Sequence, residues 1–462
     1  MIRVLYVGCG FCSAKTLAAD LPELLRNHAD VDVIVPHLDG IDEGVGKLAE
    51  RLIDCKADIQ GNTVHVKVLE GRRENHVRAF YLDAPALRKP LSLDSDDGIQ
   101  ATCLFAHAVC SWMMQVPVAY DIVHCDGILT ALVPMLLKNV YANVPRAAAV
   151  KSLVVLPGIE DKGCIDMAWL RKLGLPDSLA SSEGVEFYGK LSILKGVYLF
   201  ADAIAFPNDL VKNKIERNRG KDIGMEGILF RRANVLHHIA IGSDPRKCNP
   251  GAGFDTSAKA KAKASLAQKL RIKKDRPIVT FIGALSPTSG IDLVNDILDD
   301  LMDRQVSLVI VGSGTNAYNA AVEGWKNEFK GCIAWLKDKP DVDNIKKLLA
   351  ASDILLLPTK SESLCRIHQI AMKSGCVVVA RNHGCIANDI HSVANIDKVS
   401  DKDNGFTFRD YDSDQFFDAV MDALDLFGTP DWNDIRTRAM DLACSLDKTA
   451  EDCIHIYNSL LS

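Results

Sequence analysis

Short apolar runs rich in β-branched residues return along the whole chain, each followed by a stretch of helical periodicity, and no other feature restricts the fold as much. The first, IRVLYVG at 2–8, has the continuous apolar character of a strand buried on both faces. A helix over 14–27 follows, with Pro22 starting or kinking one of its turns, and VDVIVPHL at 31–38 is the second strand. TVHVKVLE at 63–70 and VRAFYLD at 77–83 read as a hairpin or edge pair. A helix over 98–115, a strand over 121–125, a helix over 129–138 and a strand over 147–156 continue the series. Residues 164–198 read as mainly helical, 201–206 as a short strand and 208–217 as a helix.

Pro, Gly and Ser punctuate SDPRKCNPGAGFDTS at 243–257, and a domain boundary is expected there, after residue 245. After a helix over 257–270 the alternation restarts. Strands are expected at 277–284, 306–314, 331–336, 353–358 and 376–380, with helices at 289–303, 316–328, 342–351 and 362–374 between them. Helices over 412–427, 432–444 and 447–461 close the chain. Two successive series of this kind imply an α/β protein with two doubly wound, Rossmann-like domains facing each other across a cleft. The 462 residues are ample for both.

Composition removes several function classes. A net charge of −6 argues against a phosphate-backbone binder, so no nucleic-acid partner is expected. The basic stretch AKAKAKASLAQKLRIKK at 258–274 has the spacing of a solvated helix face. The fourteen cysteines are scattered singly through apolar segments. Cys9 and Cys12 form the one CxxC and no second pair stands at zinc-site spacing, so buried thiols in a reducing compartment are expected and no metal. The doublet His237-His238 lies on an alternating run that turns its rings to opposite faces, which disfavours a shared metal. No apolar run approaches the ~18 residues of a membrane span, and the amino terminus has no signal-cleavage pattern. A cytoplasmic protein is the expectation.

Candidate chemistry gathers where strands end. Glu362 stands in a polar loop between an apolar run and an amphipathic helix, a position that suits a ligand carrying hydroxyls or phosphates. On local pattern alone the first-turn carboxylate beside a capping Ser361 is the favoured reading. GALSPTSG at 283–290 is a Gly-bounded loop after a strand, able to cradle a diphosphate on backbone amides or to be an ordinary turn, and GSGT at 312–315 shares the ambiguity. His124, Asp126 and Gly127 stand at a strand's carboxyl end. Asp126 is either a base or hydroxyl-orienting group on the cleft side, or the cap of the next helix, with His124 a buried imidazole.

Several of these segments together resemble the bacterial glycogen synthases and plant starch synthases. The resemblance is carried, in order and with similar spacing, by YVGCGFCSAKTLAADLPELL at 6–25, DIVHCDGILTALVP at 121–134 and FYGKLSILKGVYLFADAIAF at 187–206. LHHIAIGSDPRKCNP at 236–250, FIGALSPTSGIDL at 281–293 and LPTKSESLCRIHQIAMKSG at 357–375 extend it over nearly the whole chain. It implies the GT-B architecture, with an acceptor-side domain over 1–245, a donor-nucleotide domain over 246–445, and 446–462 packing back on the first. The implied activity is retaining transfer of glucose from ADP-glucose or UDP-glucose to an α-1,4-glucan. These are donors and not cofactors, and no cofactor is implied.

Carried over residue by residue, the resemblance makes Glu362 and Asp126 the catalytic candidates. Lys15, Gly283, Ser286, Ser289, Gly312, Gly314, Ser363, Leu364 and Cys365 fall on the nucleotide-sugar side, and Asp97, His124 and Gly127 on the acceptor side. The departures fall on the same site. The Gly-Gly after the opening Lys becomes Leu17 and Ala18, in a shortened loop, which obstructs close approach of backbone to a ligand. The His-Asp-Trp of the first domain becomes Asp126, Gly127 and Ile128, and the Pro-Cys-Gly after the Glu becomes Ser363, Leu364 and Cys365. Of a second Gly-Gly, NHGC at 382–385 keeps Gly384. The donor-phosphate Arg and Lys become Ala284 and Ser289. The expectation is therefore a protein degenerate for ADP-glucose-dependent glucan synthesis, acting in glucan or sugar binding or in regulation with a protein partner. The alternative is an active retaining transferase with a modified site, in which Glu362, Asp126, Lys15 and either Arg366 or Lys360 hold the donor.

Overall fold

The computed structural model describes residues 1–9, 21–39, 48–59, 62–73, 76–156, 163–206, 225, 228, 231–240, 242, 256–286, 288–337, 342–360, 367–383, 386–441 and 446–462. The chain divides into two compact units, Met1–Ala240 with Leu446–Ser462, and Ile241–Ser445.

The first unit is built on β1 (Arg3–Val7), β2 (Asp30–Pro36), β3 (Ala49–Ile59), β4 (Asn62–Arg72), β5 (Arg78–Asp83), β6 (Ile122–Asp126) and β7 (Lys151–Val155). A small sheet of β8 (Cys164–Asp166), β9 (Glu186–Phe187) and β10 (Lys190–Ser192) comes next, and β11 (Ala203–Phe206) and β12 (Leu236–His238) rejoin the main one. Its order is β12-β11-β7-β6-β1-β2-β5-β4-β3. The strands from β12 to β5 are parallel and β4 and β3 add an antiparallel edge. Val4, Leu5, Tyr6 and Val7 have no exposed surface, as their unbroken apolar run requires when helices cover both faces. The helix Asp96–Gln115, capped by Ser95 accepting from the Gly98 amide, packs on this sheet.

The antiparallel edge was only half visible in the residue pattern. The strand β3, which no periodic run announced, carries Glu50, Arg51 and Lys56 along an outer strand, where charge discourages pairing with another chain. The mainly helical reading of 164–198 is also corrected. Helix persists only at Trp169–Lys172 and Ile193–Phe200, with a single 3-10 turn at Asp177–Leu179. Between them Gly174 at φ 68°, Tyr188 at φ 49° and Gly189 at φ 78° turn the chain left-handed, which stops helices and closes the hairpin of β9 and β10. The expected helix at 208–217 lies outside the described residues.

The second unit carries six parallel strands, β13 (Ile278–Ile282), β14 (Ser307–Val311), β15 (Ile333–Leu336), β16 (Ile354–Leu357), β17 (Val377–Arg381) and β18 (Phe406–Phe408). Their order is β15-β14-β13-β16-β17-β18, all parallel. Helices Thr256–Leu270, Asn316–Glu328, Val342–Ala351, Ile367–Lys373 and Ser413–Leu426 supply its helical layers. The helix expected over 289–303 is two short pieces, Ile291–Asp296 and Leu298–Asp303, that meet at Ile297. Order reverses at β13, whose neighbours are β14 on one side and β16 on the other. In such sheets the crevice at the carboxyl ends of the strands flanking the reversal receives the ligand.

The helix Leu446–Leu461 belongs to the first unit. Its buried face, Leu446, Ala450, Cys453 and Tyr457, has the three-to-four-residue spacing of one helical stripe. Asp452 accepts a hydrogen bond from the Ala240 amide at 2.9 Å, tying the two ends of the unit together.

Candidate functional site

The reversal at β13 brings three candidate loops of the second unit to one edge of its sheet: 283–290 after β13, 312–315 after β14, and the start of the Glu362 loop after β16. Glu362, Ser363, Leu364, Cys365, Arg366 and Gly384 lie outside the described residues, as does Lys15 in the first unit. What is described is the frame around them.

In that frame the glycines have a structural reason. A Cβ at Gly312 would lie 1.9 Å from the Gly283 carbonyl oxygen, and one at Gly314 would lie 1.9 Å from that of Leu285. Gly290, at φ 81°, would place a Cβ 2.2 Å from the Pro358 oxygen. The loops are pressed together backbone to backbone, and only glycine permits that. Their amides are also occupied. The Gly283 N–H donates to Val311 O at 3.1 Å, Leu285 to Ser313 O at 3.0 Å and Gly312 to Leu336 O at 2.9 Å. The Gly314 N–H donates to Asn319 Oδ1 at 2.9 Å.

Ser289, standing where the resemblance puts a phosphate-binding Lys, closes the loop on itself. Its hydroxyl donates to Ser286 O at 2.8 Å and also to Ala284 O, and its own N–H donates to Ser286 O at 3.1 Å. The Ser286 hydroxyl bonds that of Thr288 at 2.8 Å. Among the described residues no Lys or Arg side chain hydrogen-bonds this loop. Lys360 is adjacent, its N–H donating to Thr288 O at 2.9 Å, but its amine turns to Asp292 at 3.7 Å and over the Tyr411 ring at 4.1 Å. The Tyr411 hydroxyl donates to Asp292, and burial together with that acceptor holds its proton well above the usual phenol range. Arg381, at the end of β17, donates to Lys360 O at 3.0 Å and lies beside the same ring. Among the described residues Lys360 is thus held by a carboxylate and an aromatic ring, and Arg381 by backbone carbonyls beside the same ring.

In the first unit His124 and Asp126 share a face of β6, two residues apart, with the opposite-facing Cys125 between them. His124 is completely buried. Its Nδ1 meets the Tyr457 hydroxyl at 2.5 Å, and its ring lies 4.5 Å, centroid to centroid, from Tyr6 of β1. Burial pushes the imidazole down to about 3, so it is neutral at physiological pH. Asp126 is 2 % exposed and sits against Tyr6, Cys9 and Cys453. Burial first, and this carboxylate second, raise the Tyr6 and Cys9 protons well above their ordinary values. Cys12, the partner of Cys9 in the CxxC, lies outside the described residues.

Asp126 does not cap the following helix. Gly127 precedes the 3-10 turn Ile128–Thr130 at φ 85°, a conformation suited to glycine, and Thr130 Oγ1 donates to Gly127 O at 2.9 Å. Asp97 is placed apart from this cluster, exposed in the first turn of Asp96–Gln115, where it complements the helix dipole. Tyr6, Tyr457 and Cys453 had no sequence signal of their own, because Tyr457 lies 333 positions from the His124 it bonds.

Two α/β units, each built on a mainly parallel sheet whose strand order reverses within it, match the GT-B glycosyltransferase fold. The catalytic domain of starch synthase IV from Arabidopsis thaliana, bound to ADP and acarbose, superposes with a TM-score of 0.89 at 19 % identity, covering 100 % of this chain and 99 % of that one. Anabaena HepE in complex with UDP and glucose superposes with a TM-score of 0.60 at 15 % identity over 99 % of this chain and 100 % of that one. Residues 16–231 match the starch synthase catalytic domain family, and residues 262–431 match glycosyl transferases group 1. The glycogen synthase of Thermotoga petrophila is 28 % identical over 96 % of this chain and 95 % of its own. Glycogen synthase 2 of Geobacter sulfurreducens is 27 % identical over 72 % of this chain and 70 % of its own. The chain is a glycogen/starch synthase-like protein with the GT-B fold. Among the described residues no helix is long and apolar enough to cross a membrane.

Proposed function

We propose that this chain binds an α-glucan or related sugar and does not carry out ADP-glucose-dependent α-1,4-glucan synthesis by the mechanism of its relatives. The observation that carries the reading is the loop 284–289. The resemblance puts Ala284 and Ser289 where two donor-phosphate cations stand, and the Ser289 hydroxyl is spent on carbonyls of its own loop. A retaining transferase must stabilise a diphosphate leaving group as charge builds on it. Removing one such electrostatic donor typically costs ~10²–10³ in rate. Two cations and the cleft imidazole absent together remove most of the acceleration, although the losses are not additive. The starch synthase neighbour is bound to ADP and acarbose and the HepE neighbour to UDP and glucose, which supports nucleotide as well as sugar binding by this fold.

A second reading, an active transferase with an altered donor site, is favoured by one feature. The resemblance puts Glu362 at the donor-side carboxylate, and the Lys360 N–H beside it donates to Thr288 O of the loop at 2.9 Å. Calorimetric titration of ADP, ADP-glucose, UDP-glucose and maltooligosaccharides, run beside a glucose-transfer assay, separates the two. Maltooligosaccharide binding with no glucose transfer is the expected result, and glucan binding without nucleotide binding excludes the second reading. Glucose transfer abolished by Glu362→Ala overturns the proposal in favour of the second reading.

A further inference from the structure

The amino-terminal ends of β1, β2 and β5, the edge of the first sheet opposite to Asp126, surround a cavity of about 280 Å³. It is lined by Arg3, Arg26, Arg72, His76 and Arg78 together with Asp30, Asp32 and Val31. We propose that this cavity is a binding site for a phosphate dianion, either free or as a small phosphomonoester.

The argument rests on how charge is laid out across the strands. Arg3 stands directly beside Asp30 in the register of β1 and β2, with an ion pair of 3.1 Å, and Arg26 pairs with the same carboxylate. Asp32 stands beside Arg78 in the register of β2 and β5, in a two-pronged pair of 2.8 and 2.6 Å completed by the Tyr120 hydroxyl at 2.8 Å. Both carboxylates are therefore fully engaged. The next residue along that row, across β5 and β4, is Arg72, directly opposite Arg78. Like charges facing each other in a strand pair are destabilising. Arg72 has no acceptor among the described residues. Among the described lining residues four guanidinium groups thus meet two carboxylates, a surplus of two positive charges.

A dianion with several acceptor oxygens is the ligand that balances this surplus, and guanidinium forks match its geometry. The volume lies just below the range typical of drug-sized ligands, which limits the occupant to a phosphate or a small phosphorylated molecule. Because the strands enter the sheet here and present their candidate catalytic groups at the other end, the site is separate from the one that carries the proposed sugar chemistry.

The test is calorimetric titration of the full chain with inorganic phosphate and, in a second arm, with glycerol 3-phosphate. Both are run in chloride buffer at constant ionic strength. Saturable one-to-one binding is expected in wild type and at least about tenfold weaker binding in Arg72→Ser, the size of one lost charge-assisted hydrogen bond. Tighter glycerol 3-phosphate binding identifies a phosphomonoester as the ligand, and equal or tighter phosphate binding identifies the free ion. Thermal denaturation without phosphate should show Arg72→Ser at least as stable as wild type, since it relieves the facing charges. Absence of binding in both arms, unchanged affinity in Arg72→Ser, or a lower melting temperature of that variant overturns the proposal.

Discussion

The buried His124 makes the stability of the first unit depend on pH in a way that can be computed and isolated. Folded, its imidazole is held at about 3 by burial, whereas an unfolded histidine titrates near ~6.5. The folded value is the lower one, so the unfolded chain binds the extra proton as pH falls through about 6.5, and stability is lost in that direction. At pH 7.5 almost no unfolded histidine is protonated and the contribution is near zero. At pH 5.0 the unfolded state gains about 2 kcal/mol from this one proton, and shifting the folded value by a full unit leaves that figure unchanged. The perturbation is His124→Asn, which removes the titrating group, with Tyr457→Phe as a companion that removes only the hydroxyl at 2.5 Å. Amide exchange in peptides spanning β1 and β6 reports the opening free energy of this unit alone. Wild type and Tyr457→Phe should both lose about 2 kcal/mol more than His124→Asn between pH 7.5 and 5.0. Equal losses in wild type and His124→Asn would refute the reasoning, because His124 would then titrate in the folded state.

Other consequences are as direct. Gly312→Ala drives a Cβ against the Gly283 oxygen at φ 128° and should cost about 3 kcal/mol, read as a lowered melting temperature. Asp202 accepts from the Ser152 amide and hydroxyl, each at 2.9 Å, and from Lys138 at 3.2 Å. Asp202→Ala should therefore cost about 2–3 kcal/mol in thermal unfolding, because it strands these donors. Placing cations in the loop 284–289 with an Ala284→Arg, Ser289→Lys double variant should raise ADP affinity about tenfold or more by calorimetry. No gain would refute the reading that the lack of Lys or Arg at 284 and 289 weakens nucleotide binding.

Much of the architecture was legible because it depends on short windows of sequence. The helix Asn316–Glu328 and the strand β16 follow from local periodicity, as does the helix expected over 98–115, which spans Asp96–Gln115. Residues 164–198 were misread because apolar spacing there is compatible with a helix. The left-handed turns at Gly174, Tyr188 and Gly189 that break it leave no periodic trace. The candidate site divides the same way. The absence of Lys or Arg at 284 and 289 is plain in the residues themselves, whereas the bonds that close Ser289 onto its own loop are not.

By itself the sequence determined two series of buried strands and covering helices, a resemblance to glycogen and starch synthases, and the uncharged residues Ala284 and Ser289 where that resemblance puts cations. Periodicity and residue identity are local, and they survive without knowledge of what packs on what. Only the tertiary structure decided that Tyr457 covers His124, that the glycines at 283, 312 and 314 serve backbone contact between loops, and that Arg72 faces Arg78 beside two engaged carboxylates. Each of these is a meeting of groups from separate strands, loops or helices. Burial, dielectric and charge balance come into being only when those groups meet.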